Sequence, residues 1–441
     1  MSILGLDIGG ANIKAADEAG WTVSRAFAIW KHSERLADEL ASILREFPHT
    51  ERVAVTMTAE LADCFATKSE GVRFILDAVE ASVARTLPRH RAGPGGSAAS
   101  ALLDESQSNS SSAEAGEPPG QARWRGDVTK SPVSVWTTDG RFVSAREARE
   151  QPMQVAAANW HALATWCGRK FLDLNVSPHT LKAPLTLTLT LSPEDGGEGT
   201  GVETRVRLAG SALDSRLSAF GSALLIDIGT TTTDIIPLVD GRPVARGLTD
   251  VGRLQTGELS YSGVKRTPLC AIAHAVPFQS GYCPLAAELF ATSFDVYLLL
   301  GDIAEDEHDL ETANGKPATK AAAHDRLARM LCCDRDEISF EEAVQIARFL
   351  ADVQRQRLAG SLERVASRFE RPVDTVIVSG SGSFLARRLV AENRRTVAAR
   401  ILSLDDQLSP GIAESACAYA VARLLAGELQ MKANTQRIPS P

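Results

Sequence analysis

The sequence predicts an α/β fold with two lobes around a central phosphate-binding cleft, and three observations support this prediction. The chain has 441 residues, which is enough for two or more domains at roughly 100–200 residues each. One pattern occurs twice: an apolar strand, the tripeptide Asp-Ile-Gly, a small polar turn and an apolar return strand. A glycine-rich turn follows another apolar strand late in the chain, at 376–383.

The composition is that of an ordinary globular protein. Hydrophobic residues make up 44% of the chain and charged residues 23%, with a formal net charge of −8. Proteins that bind nucleic acid usually carry a basic face, so this acidic balance argues against that class. No apolar run reaches the ~20 residues of a membrane-spanning helix, and the N-terminus does not resemble a signal peptide. We therefore expect a cytoplasmic protein that binds neither nucleic acid nor membrane.

The cysteines indicate a reducing environment. Seven are scattered along the chain, and no two have the C-x-x-C spacing of a zinc site. The sequence therefore predicts reduced, mostly structural thiols.

Residues 1–90 and 123–220 are predicted to form the first lobe. Apolar runs at 3–7 and 52–58 indicate strands, since each is short and bounded by polar residues. Two helices are indicated by apolar residues at helical spacing. These residues are Leu36, Leu40, Ile43, Leu44 and Phe47 in the first helix, and Val72, Ile75, Leu76, Val79 and Val83 in the second.

Two inserts interrupt this lobe. Residues 91–122 are rich in Ser, Gly, Ala and Pro, and cannot bury enough apolar surface to offset the entropy of ordering. Residues 177–206 contain a repetitive alternating stretch that can be disordered or can form a protruding hairpin. Neither insert is expected to carry chemistry.

Residues 221–408 are predicted to form the second lobe. Ser339 and Glu342 form a capping box at the start of a long helix. The segment 409–427, which begins with Ser-Pro, is predicted to be a terminal helix that crosses back between the lobes and ends at Gly427. Residues 428–441 are predicted to be a frayed tail.

The two Asp-Ile-Gly hairpins are the candidate phosphate-binding elements. Glycine permits a positive φ and a close approach of ligand to backbone, and successive amides in a turn form a concave anion site. The hydroxyls of the second turn add donors, and a lysine adds charge. The predicted phosphate-binding residues are Gly9, Gly10, Asn12 and Lys14 in the first hairpin, and Gly229, Thr230, Thr231, Thr232 and Asp234 in the second.

Asp7 and Asp227 are the candidate metal ligands and catalytic carboxylates. Each stands immediately before its turn. Two carboxylates that face each other across a cleft suit Mg²⁺, mostly through water, because Mg²⁺ dehydrates reluctantly. A single Asp-Ile-Gly turn is more often an ordinary hairpin than a phosphate site, and a single SGSG segment after a strand is equally often a plain loop. The prediction therefore depends on finding two matched hairpins and the late glycine-rich turn in one chain.

The order of these motifs resembles that of the actin, sugar kinase and heat-shock-chaperone ATPase superfamily. The matching segments, called phosphate-1, phosphate-2 and adenosine in that superfamily, are 7–14, 227–234 and 379–382. The resemblance implies two ribonuclease-H-like lobes, and it implies that Gly380, Ser381 and Gly382 bind a nucleotide or part of a substrate. The first turn reads Gly-Gly-Ala-Asn where many members have Ser or Thr, which argues against ordinary kinase chemistry.

A narrower resemblance is to the hydantoinase/oxoprolinase-related branch, and within it to the tetrahydromethanopterin-linked one-carbon-transfer proteins. The segments that carry it are 55–61, 135–140, 157–162, 257–268 and 294–297. Members of that group are similar to the condensing enzyme of methanofuran biosynthesis. That enzyme joins an aminomethylfuran-methyl diphosphate to the phenol of glutamyl-tyramine and releases diphosphate. The resemblance thus implies a transferase of a furanylmethyl group, acting on small-molecule substrates.

For such a reaction, Glu60 and Glu258 are candidates for the group that accepts the phenol proton. Lys265 and Arg266 are candidates for binding the glutamyl carboxylates. Each has an ordinary alternative, because loop glutamates are usually solvated and a Lys-Arg pair is usually a surface pair. His161 is expected to pack beside Trp160 rather than to act in catalysis.

Two other classes of function remain open. The first is an ATP-dependent hydrolase of the hydantoinase/oxoprolinase type or a small-molecule kinase, although the chain is short for a full oxoprolinase. The second is a nucleotide-dependent switch without enzymatic turnover. The sequence leaves open whether ATP is used in addition to Mg²⁺, and which oligomer forms.

Overall fold

The computed structural model describes residues 2–87, 131–172 and 221–436. The two predicted inserts, 91–122 and 177–206, lie outside the described residues, as does the end of the predicted tail. The chain divides into two compact units, 1–156 with 421–441, and 157–420. All seven cysteines lie in described residues, and none forms a disulfide.

The first unit is built on a six-stranded sheet with the order β3-β2-β1-β4-β5-β6. The first three strands form an antiparallel meander, β4 and β5 run parallel to β1, and β6 is antiparallel to β5. Its strands are β1 (Ser2–Ile8), β2 (Asn12–Asp17), β3 (Thr22–Ala26), β4 (Thr50–Met57), β5 (Val133–Trp136) and β6 (Phe142–Ser144).

Helices cover this sheet and complete its core. The predicted apolar faces of the two amphipathic helices are buried with the strand residues, as their spacing indicated. The helices are α1 (Ile29–His32), α2 (Leu36–Arg45), α3 (Lys68–Thr86), α4 (Ala145–Glu150) and α5 (Pro152–Val155), with 3₁₀ turns at Ser33–Arg35 and Ala59–Leu61.

The second unit repeats the same strand order in a sheet of its own, β10-β8-β7-β13-β14, with the short β9 paired to β8. Here β7 and β8 are antiparallel, whereas β13 and β14 run parallel to β7. The strands are β7 (Ser222–Ile228), β8 (Thr233–Val239), β9 (Arg242–Pro243), β10 (Leu259–Ser260), β13 (Thr375–Ser379) and β14 (Arg400–Ser403), with a separate hairpin of β11 (Ala275–Phe278) and β12 (Gly281–Pro284).

The helices of the second unit include a 27-residue helix, α11, which begins at the predicted capping box of Ser339 and Glu342. Its buried face packs in the core of this unit. The helices are α6 (Asn159–Phe171), α7 (Asp250–Thr256), α8 (Leu269–Ile272), α9 (Ser293–Leu300), α10 (Lys320–Arg329), α11 (Phe340–Ala366), α12 (Ser383–Glu392), α13 (Leu404–Gln407) and α14 (Pro410–Glu414).

The terminal helix, α15 (Ala416–Gln436), is longer than predicted. Gly427 does not end it, so residues 428–436 are helical rather than frayed. A glycine in a helix interior costs only about 1 kcal/mol relative to alanine. The next turn is supported by an ion pair of 2.7 Å between Glu428 and Lys432, at the i,i+4 spacing that favours a helix. The division between the units falls within this helix, after Ala420.

The predicted lobe boundary at 220/221 also differs from the observed division, because α6 groups with the second unit. The reason is close packing between α6 and the turn before β9. A Cβ atom at Gly168 would lie 2.0 Å from the carbonyl oxygen of Gly241, so only glycine allows this approach.

The α/β fold predicted from the sequence is confirmed, with two sheets of the same ribonuclease-H-like strand order. In both sheets a hairpin leads into strands that run parallel to its first strand. Each Asp-Ile-Gly turn therefore lies at the carboxyl end of the central strand of its own sheet. None of the described helices is both long enough and apolar enough to span a bilayer.

Candidate functional site

In the first hairpin turn, the carbonyl groups of Gly10 and Ala11 are occupied and their amides are available, whereas the amide of Gly9 closes the turn with a bond of 2.9 Å to the carbonyl of Asn12. The carbonyl of Gly10 accepts a hydrogen bond of 3.0 Å from the amide of Ile29, and that of Ala11 one of 2.8 Å from the amide of Phe27. The amides of Gly10 and Ala11 have no acceptor within the described residues. The segment after β3 therefore binds one side of the turn and leaves its donors unused.

The second hairpin turn has the same arrangement. The carbonyl of Gly229 accepts a bond of 3.1 Å from the first of three consecutive amides in 264–266, and that of Thr230 accepts bonds of 3.0 and 2.9 Å from the other two. The three amides of 230–232 have no acceptor in the part of the chain that the structure describes. Successive backbone amides in a turn form a concavity that binds anions, so a half-buried turn with consecutive unused donors is a candidate anion site.

The glycines of these turns do not provide the positive φ that was predicted. None of Gly9, Gly10 and Gly229 has a positive φ. Gly9 is required for space, because a Cβ atom there would lie 2.9 Å from the carbonyl oxygen of Asn12. A Cβ atom at Gly10 would meet nothing within 4 Å. A side chain at position 10 would occupy the open space beside the amides of Gly10 and Ala11, where a ligand could otherwise approach.

Asp7, at the end of β1, is half-buried, and its Oδ1 is a buried oxygen without a hydrogen bond within the described residues. Burial raises the pKa of Asp7 from 3.8 to about 6, although the charge of Lys14, its neighbour across the hairpin, opposes the shift. Its Oδ1 has no hydrogen-bond partner within the described residues, and neither has the Oγ1 of Thr56, which pairs with Asp7 in the parallel register. The sequence contained a signal for Thr56, a hydroxyl within the apolar second half of β4.

These two oxygens fit the requirements of a hydrated Mg²⁺ ion, which prefers oxygen ligands and keeps several waters. Buried polar atoms without partners otherwise carry a desolvation cost. No group of three or more His, Cys, Asp or Glu side chains that could hold a metal occurs among the described residues. A bound Mg²⁺ would therefore depend on few protein ligands, with water and phosphate oxygens completing its coordination.

The third predicted segment packs directly on the end of β7. Gly380 has a φ of +87° and belongs to the turn after β13. A Cβ atom at Gly380 would lie 2.4 Å from the carbonyl oxygen of Ile228 and 2.6 Å from Oδ1 of Asp227. The amide of Gly382 donates a bond of 2.8 Å to the same carbonyl. The structure thus brings the 379–382 turn and the second hairpin together.

Replacing Gly380 with alanine should destabilise the protein by about 2–4 kcal/mol, because a positive φ disfavours any Cβ atom and the new atom would overlap the backbone of β7. Gly360→Ala is the matched control in α11, where nothing lies within 4 Å of the added atom. That substitution should stabilise the protein by up to about 1 kcal/mol. Urea unfolding of both variants measures the difference, and equal midpoints would contradict the packing described for Gly380.

Asp234 was predicted to bind phosphate, but its side chain has a protein partner. It forms a buried ion pair with Arg253, whose guanidinium also stacks over Trp160 at 4.2 Å from the ring centroid. Burial raises the pKa of Asp234, and the charge of Arg253 opposes the shift. Arg253 is 2% exposed and was not predicted from the sequence, where an arginine in a short helix gives no signal of burial.

Glu258 was predicted to accept the phenol proton, and the structure argues against this role. Its side chain is fully buried, with an ion pair to Arg368. The remaining donors to its carboxylate are the amide of Arg246 at 2.7 Å, the amide of Gly247 at 2.9 Å and the hydroxyl of Thr256 at 2.9 Å. Both oxygens are therefore engaged in holding the chain around α7, and neither is available to a substrate.

Glu60 lies where a group that acts at the first hairpin could lie. It is in the 3₁₀ turn directly after β4, is 1% exposed, and follows Thr58, whose amide bonds to the carbonyl of Ile8 at 2.9 Å. Helix α3 approaches so closely that a Cβ atom at Gly71 would lie 2.5 Å from the carbonyl oxygen of Glu60.

His161 packs as expected. Its ring makes an edge contact with Trp160 at 5.2 Å between centroids, and its Nδ1 lies 3.4 Å from the hydroxyl of Thr165. It is 8% exposed and lies in the first turn of α6.

Lys265 and Arg266 were predicted to bind substrate carboxylates. The ammonium of Lys265 is instead 2.7 Å from Asp309 and 3.4 Å from Glu311, over the ring of Phe294 at 4.7 Å. These acidic partners neutralise Lys265, which argues against the predicted role. Arg266 has an exposed side chain, and its backbone amide donates a bond of 2.9 Å to the carbonyl of Thr230 in the second hairpin turn.

Comparison with known proteins gives a consistent set of relatives. Residues 208–427 match the model of the hydantoinase/oxoprolinase family. A protein of Methanocaldococcus jannaschii, named (4-{4-[2-(gamma-L-glutamylamino)ethyl]phenoxymethyl}furan-2-yl)methanamine synthase, is 26% identical over 431 residues, which are 97% of this chain and 98% of that protein. A protein of Methanococcus vannielii with the same name is 30% identical over 213 residues, 48% of this chain and 95% of that protein.

Among solved structures, an archaeal actin homolog is similar with a TM-score of 0.36 at 12% identity, covering 97% of this chain and 100% of that chain. The curated relatives are named as enzymes, and the family model covers the second hairpin, α7, α11 and the glycine-rich turn described above. The chain belongs to the hydantoinase/oxoprolinase family.

Proposed function

We propose that this chain joins an aminomethylfuran-methyl diphosphate to the phenol of glutamyl-tyramine and releases diphosphate. The names of the two relatives support the class of product. Within the chain, the observation that carries the proposal is the pair of turns whose carbonyls are occupied and whose amides lack acceptors in the described residues. A diphosphate supplies the oxygens that such donors bind.

The bond changes of this reaction are simple. The phenol oxygen forms a bond to the furan methylene carbon while the bond from that carbon to the diphosphate oxygen breaks. The phenol proton passes to a base, and the electron pair of the broken bond leaves with the diphosphate. The furan ring can stabilise positive charge at its methylene carbon, so charge develops mainly on the leaving group, where fixed donors are most effective.

Each hairpin has its own part in this proposal. We propose that the amides of 230–232 and of Gly10 and Ala11 bind diphosphate oxygens, with Lys14 adding positive charge. Asp7 is the candidate Mg²⁺ ligand of the first unit and Asp227 that of the second, and a bound Mg²⁺ would supply charge neutralisation for the diphosphate. The unused Oδ1 of Asp7 supports this assignment in the first unit.

Two other roles complete the proposal. Glu60 is the candidate base, because it stands at the carboxyl end of β4, next to the end of β1. Arg266 is the candidate for the glutamyl carboxylates, since the acidic partners of Lys265 make that residue unsuitable. The turn at Gly380, Ser381 and Gly382 would contact the furan or tyramine part of the substrates.

The test is a coupling reaction without ATP. Full-length protein is incubated with Mg²⁺, the furan diphosphate and glutamyl-tyramine, and the product masses and released diphosphate are measured. We expect the ether product from the wild type, and a loss of at least about 100-fold in Asp227→Ala, consistent with removal of a group that stabilises transition-state charge. Asp63→Ala, which changes an exposed carboxylate of the first unit, should retain full turnover.

The alternative function is ATP-dependent hydrolysis or phosphoryl transfer. Folded protein that forms no ether, but hydrolyses ATP faster when a cyclic amide or a hydroxyl substrate is added, would support the alternative and would contradict the synthase proposal. A parallel incubation with ATP therefore accompanies each reaction.

A further inference from the structure

A buried chain of hydrogen bonds connects the long helix α11 to the second hairpin turn. The segment 262–266 binds the carbonyls of that turn, as described above, and it packs so closely that a Cβ atom at Gly263 would lie 2.5 Å from the backbone nitrogen of Thr231. The hydroxyl of Thr233 also donates a bond of 2.7 Å to the carbonyl of Ser262. The position of the turn therefore depends on the position of this segment.

Gln354, in the middle of α11, holds the segment from behind. Its Nε2 donates bonds of 2.8 Å to Oγ of Ser262 and 2.9 Å to the carbonyl of Gly263. Its Oε1 accepts a bond of 2.7 Å from the hydroxyl of Tyr297 in α9. Gln354 is 1% exposed, and Tyr297 is fully buried. Both amide protons of Gln354 are thus used on the segment, and the tyrosine hydroxyl selects the orientation of the amide.

Additional donors strengthen the anchoring. The carbonyl of Gly263 also accepts bonds from the hydroxyls of Ser293 at 2.8 Å and Thr267 at 3.1 Å. An amide on a 27-residue helix provides a rigid support, because the helix is packed in the core along its buried face. Binding groups work best when neighbouring residues hold them in the productive geometry before the ligand arrives.

We propose that Gln354 is a positioning residue for the phosphate-binding turn. It touches no substrate. It holds Ser262 and Gly263, whose segment engages the carbonyls of Gly229 and Thr230, and so keeps the amides of 230–232 directed at the diphosphate. This inference rests on the proposed function and assigns to the diphosphate site a residue about 120 positions along the chain from the turn.

The test compares Gln354→Leu with Thr396→Val in the full chain. Thr396 is also buried in the second unit, and its hydroxyl donates a bond of 2.9 Å to the carbonyl of Val390, away from the turn. Both substitutions remove buried hydrogen bonds at similar side-chain volume. We expect Gln354→Leu to lower kcat/KM for the diphosphate ester about 10- to 100-fold, while KM for the phenol substrate changes less than twofold. Thr396→Val should leave both values unchanged.

Two further measurements separate the possible outcomes. The Kd for inorganic diphosphate, measured by calorimetry, should rise about 10-fold in Gln354→Leu and not in Thr396→Val. If Gln354→Leu does not fold, Tyr297→Phe takes its place in the test. That variant removes the hydrogen bond to Oε1 of Gln354 and leaves residues 262–266 unchanged, so we expect a smaller defect of the same kind. If the wild type turns over but Gln354→Leu and Thr396→Val have equal kcat/KM and equal Kd for diphosphate, the positioning role alone is overturned. If the wild type neither couples the substrates nor binds diphosphate, both the proposed function and the positioning role are overturned.

Discussion

Asp7→Asn should lower turnover in the proposed coupling reaction at least about 100-fold and at the same time stabilise the ligand-free protein above pH 6. Burial favours the neutral form of Asp7, whose pKa is raised from 3.8 to about 6. Between these two pH values the folded protein binds more protons than the unfolded chain, so wild-type stability falls as the pH rises and the loss is complete above pH 6. The pKa difference corresponds to a loss of about 3 kcal/mol in the free energy of unfolding of the wild type. The Asp7→Asn variant avoids this loss because asparagine cannot ionise.

The measurement is urea unfolding from pH 4 to pH 8 with a chelator present. The gain of Asp7→Asn over the wild type should grow between pH 4 and 6 and then remain constant. Asp63→Asn, at an exposed carboxylate of the same unit, should show no such gain. Turnover of Asp7→Asn should fall at least about 100-fold, as for a group at the site of developing charge. If Asp7→Asn is no more stable than the wild type at pH 8, the prediction is wrong, and the ionised carboxylate of Asp7 has a stabilising partner in the ligand-free protein.

Glu258→Ala should destabilise the protein by about 3–5 kcal/mol, the range for removing one partner of a buried ion pair. The substitution leaves Arg368 with 7% of its side chain exposed and no carboxylate beside it, and removes the acceptor of two backbone amides and one hydroxyl. Thermal and urea unfolding measure the loss. Asp406→Ala is the matched control, because its ion pair with Arg387 is exposed and should contribute less than about 1 kcal/mol.

The same variant distinguishes a structural carboxylate from a base. If Glu258 holds the chain and does not accept a proton, Glu258→Ala protein that remains folded at low temperature should retain turnover within about 10-fold. Loss of a general base would instead reduce turnover about 10²- to 10⁴-fold with little change in stability. The double variant with Arg368→Ala should recover part of the lost stability, because no buried charge is then left without its partner.

Local patterns were sufficient for most of the fold. The strands that end in the two Asp-Ile-Gly turns, the helices with apolar residues at helical spacing and the capping box of α11 all depend on residues within a few positions of each other. Such short-range rules act wherever the residues occur, so they can be read without knowing the tertiary contacts. The order of the hairpin motifs indicated the superfamily, and the shorter segments such as 55–61 and 257–268 indicated the family.

The end of α15 and the grouping of α6 show where these rules reach their limit. A glycine after a helical stretch predicts a C-terminus, but whether the helix continues depends on the residues that follow it and on what they contact. The grouping of α6 depends on Gly168 packing against Gly241, which are far apart in sequence.

By itself, the sequence determined the two-sheet α/β fold, the place of each hairpin turn and the family, because these follow from local pattern and motif order. Only the tertiary structure decided which of the predicted site residues already have protein partners. Glu258 is bound by Arg368, 110 residues further along the chain, and Lys265 by Asp309, 44 residues further. Spacing in a sequence cannot indicate such pairs, because the two partners come together only when the chain folds. A charged side chain that folding has paired with an opposite charge is then occupied and not available to a ligand.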